Sequence, residues 1–364
     1  FPLGALLLQR AERGVAGFVG RRRRFAHHHG PSSWRQMVKG DARWFTRDGF
    51  SLEYEWEQSR TGRAFEQAVQ IIEDVERHPS SLLTGMLYPA QVDTCTPETL
   101  RDSFELSVEK GIPWQIHAAQ SVIEFHEVFR RYGKTPIQWL EQLGVLGPNT
   151  IVGHGIFLDH HPWLHWTSNV DLSLLAERQV SVAHCPTVFG RRGIALRTFG
   201  DYLRAGVNLG IGTDTYPHNF LDEVRSTLNF ARVIGESVAD VKTSDVFNAG
   251  TVGGATALGR RDLGRISVGA RADFSLVDLN NLHMKPMREP IRSLVYVALE
   301  RAVRDVYVDG KCVVRDGKVL TFDHMAAVVE LEEAQQRSLA RVPDQDWAGR
   351  KHDELSPMVF SVEK

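Results

Sequence analysis

Short apolar runs alternate with longer segments of helical periodicity along most of this chain. Each run has the length of a buried strand, and each segment between two runs is long enough for a crossover helix. This alternation predicts βαβ units that build a parallel sheet. The predicted strands are residues 15–19, 82–87, 114–117, 150–153, 180–184 and 207–211.

The segment from Thr96 to Gly111 carries the signals of a helix with defined ends. Thr96 can cap the helix, Pro97 suits its first turn, and Gly111 can end it. Similar patterns in residues 135–144 and 172–178 predict two further crossover helices.

Six predicted strands are fewer than the eight of a closed (β/α)8 barrel. The chain also begins with Phe1 rather than Met, inside a stretch typical of the middle of an α/β domain. We therefore predict an α/β fold, an incomplete TIM barrel whose first two strand–helix units lie upstream of Phe1.

The pattern changes at Gly264, where short β-like runs separated by Gly, Asp and Pro begin. Residues 264–320 predict a small antiparallel sheet with a hairpin at Asp309-Gly310. Residues 325–340 predict an amphipathic helix. The expected organisation is a barrel over residues 1–263, a β-sandwich module over 264–324, and a C-terminal helix and tail over 325–364.

Composition narrows the class of partner. The formal net charge is −2, with 42% hydrophobic and 24% charged residues, which is ordinary for a globular protein. Neither an excess of basic residues nor an apolar run of membrane-spanning length is present, so nucleic acid and membrane are not expected partners. The 3 cysteines lack CxxC spacing and are too scattered for a disulfide framework. We expect a cytoplasmic protein that acts on a small molecule, and we interpret the arginines at 21–24 as a solvated loop.

Four predicted strands end in a side chain that can bind a metal or move a proton. WQIHAAQ contains His117, IVGHGIF contains His154, SVAHCP contains His184, and LGIGTDT contains Asp214. Their spacing of roughly 30 to 37 residues is about one βα unit, and catalytic groups of such barrels project from the carboxyl ends of the strands. Imidazole nitrogen and carboxylate oxygen bind zinc or ferrous iron, so this pattern predicts a metal hydrolase site.

Each of these residues has a structural interpretation as well. A single histidine at a strand end is commonly a core residue with satisfied hydrogen bonds, and an Asp after Gly-Thr often caps a turn. The four residues together favour a site. His27 and His29 have HxH spacing but lie in a loop-like stretch, so we do not expect them to bind metal.

The order HAAQ, GH, HCP and GTD, followed by GATALGRRDLGRISVGARADFSLVDL, resembles the amidohydrolase superfamily, specifically its cytosine deaminase and triazine hydrolase-like branch. The resemblance covers about residues 3–320 and is most specific in the C-terminal segment. It implies a distorted (β/α)8 barrel of the metal-dependent hydrolase type joined to a β-sandwich. It also implies one divalent metal ion, zinc before iron, and a fold that often pairs as a homodimer.

The resemblance also implies roles for individual residues. His117 and Asp214 match metal ligands, and His184 matches a residue that lines the pocket. His154 matches a histidine that contacts substrate, the water on the metal or, in some members, the metal itself. Gln120 stands where deaminases of this branch have the Glu of HxxE; its amide can orient substrate but cannot carry a proton. The expected catalytic residues are His154, Asp214 and Gln120, the metal ligands His117, Asp214 and His154, and the substrate contacts His184, Gln120 and Trp114.

One family motif is not matched by these residues. Members hold the metal with an HxH motif at the end of the first strand, and its distance from His117 places it upstream of Phe1. His27 and His29 do not match it. The alternative to an active enzyme is therefore a truncated, inactive protein of the same fold that lacks the HxH ligands.

The implied activity is deamination or dechlorination of a nitrogen heterocycle of purine, pyrimidine, pterin or triazine type by metal-activated water. Asp214 would accept the proton of the water, and Glu124 is the alternative proton carrier to Gln120. An esterase of the binuclear type is a weaker alternative, because TGMLYPAQ supplies no bridging Lys or Glu. Aromatic residues that could stack on the ring, each with plain packing as its alternative, are Trp114, Phe157, Phe189 and Tyr216.

Overall fold

A computed structural model of the chain describes residues 42–45, 53–56, 58–196, 199–215, 218–298, 302–346 and 348–360. The predictions for residues 15–19, the arginines at 21–24, His27, His29 and Tyr216 fall outside these ranges.

The first described element is an antiparallel pair of short strands, β1 (Ala42–Phe45) and β2 (Glu53–Trp56). A helix, α1 (Gln58–Arg77), leads from this pair to the main sheet. The hydroxyl of Tyr54 donates to the carboxylate of Asp93 at 2.7 Å, which ties the pair to the segment after the first strand of that sheet.

Among the described residues, five parallel strands form the main sheet, and they lie side by side in chain order. This sequential order is what right-handed crossovers between neighbouring strands produce. The strands are β3 (Leu87–Gln91), β4 (Trp114–Ala118), β5 (Thr150–His154), β6 (Ser181–His184) and β7 (Asn208–Ile211). The helices that follow β3 to β7 are α2 (Pro97–Lys110), α3 (Val122–Tyr132), α4 (Pro136–Leu143), α5 (Asp171–Glu177), α6 (Pro186–Gly190), α7 (Phe199–Ala205), α8 (Phe220–Ile234), α9 (Thr243–Asn248) and α10 (Gly254–Ala257).

Four of the predicted parallel strands are confirmed to within one residue, but the prediction for 82–87 is wrong. The backbone joins the sheet only at Leu87, which pairs with Trp114. Leu83 is 48% exposed and Leu82 is half-buried, so Met86 is the one apolar residue of the described run before Leu87 that lies in the core. Apolar content alone does not distinguish a strand from the loop that leads into it.

The predicted helix signals are confirmed. The side chain of Thr96 accepts a hydrogen bond from the backbone N–H of Thr99, and Gly111 ends α2 in the left-handed region at φ 62°. Thr135 caps the start of α4 with its side chain, and Gly144 ends the helix in the left-handed region. These caps satisfy backbone groups that a helix end otherwise leaves unpaired.

The C-terminal part contains a separate antiparallel sheet of order β11-β10-β9-β8. The predicted hairpin is confirmed: Asp309 and Gly310 have φ of 52° and 76°, and Val308 pairs with Lys311. A turn with two positive φ angles matches the right-handed twist of the strands it joins. The strands are β8 (Phe274–Val277), β9 (Val303–Val308), β10 (Lys311–Arg315) and β11 (Lys318–Val319).

The sequence analysis missed one helix in this part, α11 (Pro290–Val297). It packs against the main fold, because Arg225 of α8 donates to the backbone carbonyls of Tyr296, at 2.8 Å, and Ala298. The predicted helix after residue 325 is confirmed as α12 (His324–Ala340), which buries no residue. The last two helices are α13 (Val342–Gln345) and α14 (His352–Leu355).

The hydrophobic core lies between the parallel sheet and the helices around it. Its fully buried members include Trp114 and Ile116 of β4, Val152 of β5 and Tyr202 of α7. Because both faces of the parallel strands are covered, polar side chains reach open space mainly at the strand ends. None of the described helices combines the length and the apolar composition that crossing a bilayer requires.

Candidate metal centre

Two imidazoles and a carboxylate converge at the carboxyl ends of the parallel strands. His117 lies in β4, His154 ends β5, and Asp214 follows β7. One ligand atom from each residue lies within 4.8 Å of the others. The rings of His117 and His154 stack with centroids 5.1 Å apart and planes 8° apart. We call these three residues the metal cluster.

The register of the parallel strands explains this convergence. His117 pairs with Gly153, and Ala118 pairs with His154, so the two histidines are adjacent in neighbouring strands. Gly153 leaves the room for this stack, because a Cβ at that position would lie 3.2 Å from Cδ2 of His117. Asp214 adopts a left-handed backbone conformation with φ 55°, which Asp tolerates better than most residues.

Burial keeps both imidazoles neutral. Desolvation, followed by the charge of His154, lowers the pKa of His117 to about 3. Desolvation, followed by His184 and Arg192, lowers the pKa of His154 to about 3. A neutral imidazole offers the lone pair that a metal ligand needs.

Asp214 completes the donor set as a half-buried carboxylate. Desolvation raises its pKa above that of an ordinary aspartate, while the neighbouring His117 and the positive charge of Arg192 act in the opposite direction. A cation bound at this position would favour the ionised carboxylate, which is the form that binds a metal.

The residues present fit a divalent cation. Nδ1 of His154 is buried and has no hydrogen-bond partner among the described residues, and a polar atom in that situation is normally satisfied by a ligand, a water or an ion. Two nitrogen ligands and one oxygen ligand are the donor types of zinc and of non-haem iron sites. The described residues supply these three ligand atoms to the site.

Gln120 lies in the turn after β4 and is 9% exposed. Glu124 holds this turn, since its carboxylate accepts from the backbone N–H groups of Ala119 at 2.6 Å and Gln120 at 3.2 Å. Ala119 has a positive φ of 52°, so the turn needs such support. Burial, followed by the charge of Asp93, raises the pKa of Glu124 well above its ordinary value. Glu124 is thus engaged with the backbone, which argues against it as the proton carrier.

His184 ends β6, next to the strand of His154, and is buried. Desolvation lowers its pKa to about 3, so it too is neutral. Phe189, in the helix that follows, packs against the ring of His154 with centroids 4.5 Å apart. His184 and Phe189 therefore both border the metal cluster on the side of β6.

The structure contradicts the expected substrate contact of Trp114. This residue is fully buried, its indole N–H donates to Ser103 of α2 at 2.9 Å, and its ring packs edge-on against Phe104. In a strand, side chains three positions apart point to opposite faces. Trp114 therefore faces the helix layer, while His117 faces the metal cluster.

Phe157 packs on His161 with centroids 4.5 Å apart and lies in the same buried cluster as Phe189.

The sequence analysis missed Tyr88 of β3. Its hydroxyl oxygen lies 2.7 Å from Nδ1 and 3.5 Å from Nε2 of His117. The run TGMLYPAQ contains neither Lys nor Glu, and a single tyrosine near the start of a strand is a weak signal by itself. The contact depends on the local backbone of β3 rather than on its sequence pattern.

Solved structures with a similar fold contain zinc. The chain is similar to an adenosine deaminase from Xanthomonas campestris with bound zinc, with a TM-score of 0.69 and 25% identity over 79% of this chain and 64% of that one. It is also similar in fold to an atrazine chlorohydrolase from Arthrobacter aurescens complexed with zinc, with a TM-score of 0.67 and 20% identity over 75% of this chain and 60% of that one.

Several curated relatives of this chain are deaminases by name. The chain is 29% identical over 272 residues to a 5-methylthioadenosine/S-adenosylhomocysteine deaminase of Natronomonas pharaonis, covering 74% of this chain and 61% of the relative. It is 32% identical over 263 residues to the Thermococcus onnurineus protein of the same name, covering 71% and 59%. A 5'-deoxyadenosine deaminase of Methanothermobacter thermautotrophicus is 30% identical, covering 73% and 60%. The chain thus spans about three fifths of the length of these relatives.

The sequence matches the Amidohydrolase family over residues 42–313, which include the parallel sheet, the metal cluster and most of the antiparallel sheet. The parallel α/β core, the separate antiparallel sheet and the cluster at the strand ends agree with this match. The chain therefore belongs to the amidohydrolase family.

Proposed function

We propose that this protein is a metal-dependent hydrolase that removes an amino group from an adenosine-type nucleoside. The observation that carries the proposal is the convergence of two neutral imidazoles and one half-buried carboxylate within 4.8 Å of one another. The names of the relatives, which are deaminases of adenosine derivatives, support the choice of substrate. Zinc is the metal we propose, because the donor set fits it and two structures of similar fold contain it.

In this proposal the metal would be held by His117, His154 and Asp214. When bound, zinc supplies Lewis acidity and lowers the pKa of coordinated water towards about 7. Asp214 would accept a proton from the attacking water and pass it to the leaving group. His184 and Phe189 provide a hydrogen-bonding group and an apolar face next to His154, which suits a flat heteroaromatic ring.

Gln120 favours a second candidate reaction, dechlorination. Loss of an amine needs a proton on the leaving nitrogen, and a glutamine amide cannot supply one by titration. Chloride leaves as an anion and needs no proton. A chlorinated triazine or purine is therefore the alternative substrate, with Gln120 orienting the ring in both cases.

The experiment is a metal and substrate assay on the full-length protein purified without chelators. We expect about one zinc ion per chain, and release of ammonia from 5-methylthioadenosine, adenosine or 5'-deoxyadenosine. Chloride release from atrazine without ammonia release from the nucleosides would favour the second candidate. A protein that carries no metal and releases neither product would favour an inactive member of the family.

A further inference from the structure

Strand β3 contains an irregularity next to the metal cluster. Leu87 pairs with Trp114 and Ala90 pairs with Ile116, so three steps along β3 match two steps along β4. A bulge of this kind bends a strand and redirects a side chain. Ala90 has a φ of 101°, which a residue with a Cβ rarely adopts, and the thiol of Cys95 donates to the carbonyl of Pro89 at 2.9 Å. The neighbouring structure therefore holds this bulge in a strained conformation.

The bulge brings two groups onto one imidazole. The Tyr88 hydroxyl lies 2.7 Å from Nδ1 of His117, and the two rings are nearly perpendicular, at 89° with centroids 5.2 Å apart. The backbone of Ala90, in the same bulge, also acts on the His117 ring in the direction that raises its pKa. On its other face the ring stacks on His154. His117 is thus fixed from β3 on one side and from β5 on the other.

We propose that Tyr88 is a positioning residue that sets the orientation and the tautomer of His117 for metal binding. Histidine ligands are usually oriented by a hydrogen bond to the ring nitrogen that does not bind the metal. Tyr88 meets this requirement through Nδ1, the nearer of the two nitrogens. The strained bulge places the hydroxyl before a metal arrives, so the ligand does not have to reorient on binding. The inference rests on the metal site proposed above.

The test is Tyr88→Phe in the full-length protein, which removes the hydroxyl and keeps the ring. We expect zinc affinity, measured by competition with a chelator, to fall by about 10- to 100-fold, while the melting temperature of the metal-free protein stays unchanged. The matched control is Tyr132→Phe, because Tyr132 stacks on Trp139 at 3.9 Å, away from the metal cluster. The control should bind zinc like the unmodified protein.

A second measurement does not depend on zinc. ¹⁵N NMR of histidine-labelled, metal-free protein should show His117 protonated at Nδ1 in the unmodified protein and a mixture of tautomers in Tyr88→Phe. Equal zinc affinity in the two proteins, or an unchanged tautomer, would overturn the inference. A loss of turnover with unchanged zinc affinity would also overturn it and would indicate direct contact of Tyr88 with substrate.

Two remaining outcomes are also decisive. If the unmodified protein binds no zinc, the proposed function fails, and the tautomer comparison alone decides the role of Tyr88. If Tyr88→Phe does not fold, the tautomer of His117 in the unmodified protein decides it: a ring protonated at Nδ1 supports the inference, and a mixture or a ring protonated at Nε2 contradicts it.

Discussion

Two polar clusters each contain a residue at or just after the end of β5, and they differ in how their carboxylates are hydrogen-bonded. In the metal cluster, Nδ1 of His154 is buried and has no partner among the described residues. In the second, which we call the acidic cluster, Asp171 accepts from the Thr135 hydroxyl at 2.7 Å, the Gln138 amide at 3.1 Å and the backbone N–H of Asp159 at 2.9 Å. Asp159 in turn accepts through Oδ2 from Ser168 at 2.7 Å, while its buried Oδ1 has no hydrogen-bond partner among the described residues.

The difference shows how a ligand site can be told from a structural network. Buried polar groups cost free energy unless they are hydrogen-bonded, so a network whose bonds are made within the protein stabilises the fold. An unpartnered buried atom occurs in both clusters, so it points to a ligand site only where several ligand atoms converge, as they do within 4.8 Å of one another in the metal cluster. Residue type does not separate the two cases, since both clusters contain carboxylates. Four substitutions test the comparison.

The largest expected effect is on turnover, from Asp214→Asn. The amide keeps the size of the side chain but cannot take up a proton. We expect kcat of the full-length protein to fall by about three orders of magnitude, with the melting temperature of the metal-free protein unchanged. Near-normal turnover in this variant would show that Asp214 does not take part in the reaction.

Asp171→Ala should lower stability and leave zinc affinity unchanged, whereas Asp214→Asn should lower turnover and leave stability unchanged. It leaves the hydroxyl of Thr135, the amide of Gln138 and the backbone N–H of Asp159 without their acceptor. We expect the free energy of unfolding to fall by about 2–4 kcal/mol in denaturant titrations, with zinc affinity unchanged. The control Asp201→Ala, which removes an exposed ion pair with Arg204, should change stability by less than about 1 kcal/mol. A loss of zinc affinity in Asp171→Ala would show that the two clusters act as one functional unit, which contradicts the comparison.

Glu223 gives a pH-dependent test of the scaffold beside the metal cluster. Its carboxylate accepts from the backbone N–H of Thr187 in α6 at 3.0 Å, and burial raises its pKa to about 7 from an ordinary value of 4.5. The folded state therefore binds the proton more tightly than the unfolded state, and this stabilisation is complete below pH 4.5 and lost as the pH rises to about 7.

Glu223→Gln keeps an acceptor for Thr187 and removes the titration. Relative to the unmodified protein, the variant should gain about 1–3 kcal/mol of unfolding free energy between pH 4.5 and pH 8, measured by denaturant titration at each pH. The control Asp222→Asn changes the adjacent carboxylate, whose side chain is 42% exposed, and should show no such gain. Parallel pH curves for Glu223→Gln and the unmodified protein would contradict the raised pKa.

The smallest expected effect comes from Gly153→Ala. The added Cβ would lie 3.2 Å from Cδ2 of His117, so the ring must shift by a few tenths of an ångström. We expect zinc affinity to fall by about tenfold with a loss of stability near 1 kcal/mol. Gly147→Ala is the control, because its Cβ would meet only atoms at 3.4 Å and beyond. Unchanged zinc affinity would show that the stack of His117 on His154 is not needed in its present form.

The positions of the site residues were predicted in part. His117, His154 and Asp214 were found because a polar residue that ends a buried apolar strand stands out in the sequence, and parallel strands bring their ends to one edge. Trp114 was misassigned although the alternation of a strand already places it opposite His117. Glu124 was considered as a proton carrier, and only its hydrogen bonds to the turn after β4 show that it holds the backbone.

Apolar periodicity, helix caps and turn residues are local signals that can be read from neighbouring residues. They were enough to predict the βα alternation, the helix ends, the hairpin at Asp309-Gly310 and the edge of the sheet where the polar groups collect. Tertiary structure decided which of those groups touch. The bulge that turns Tyr88 onto His117 and the pairing of β4 with β5 that stacks His117 on His154 both depend on register between segments far apart in the chain. Register follows from packing across strands, which no local pattern encodes.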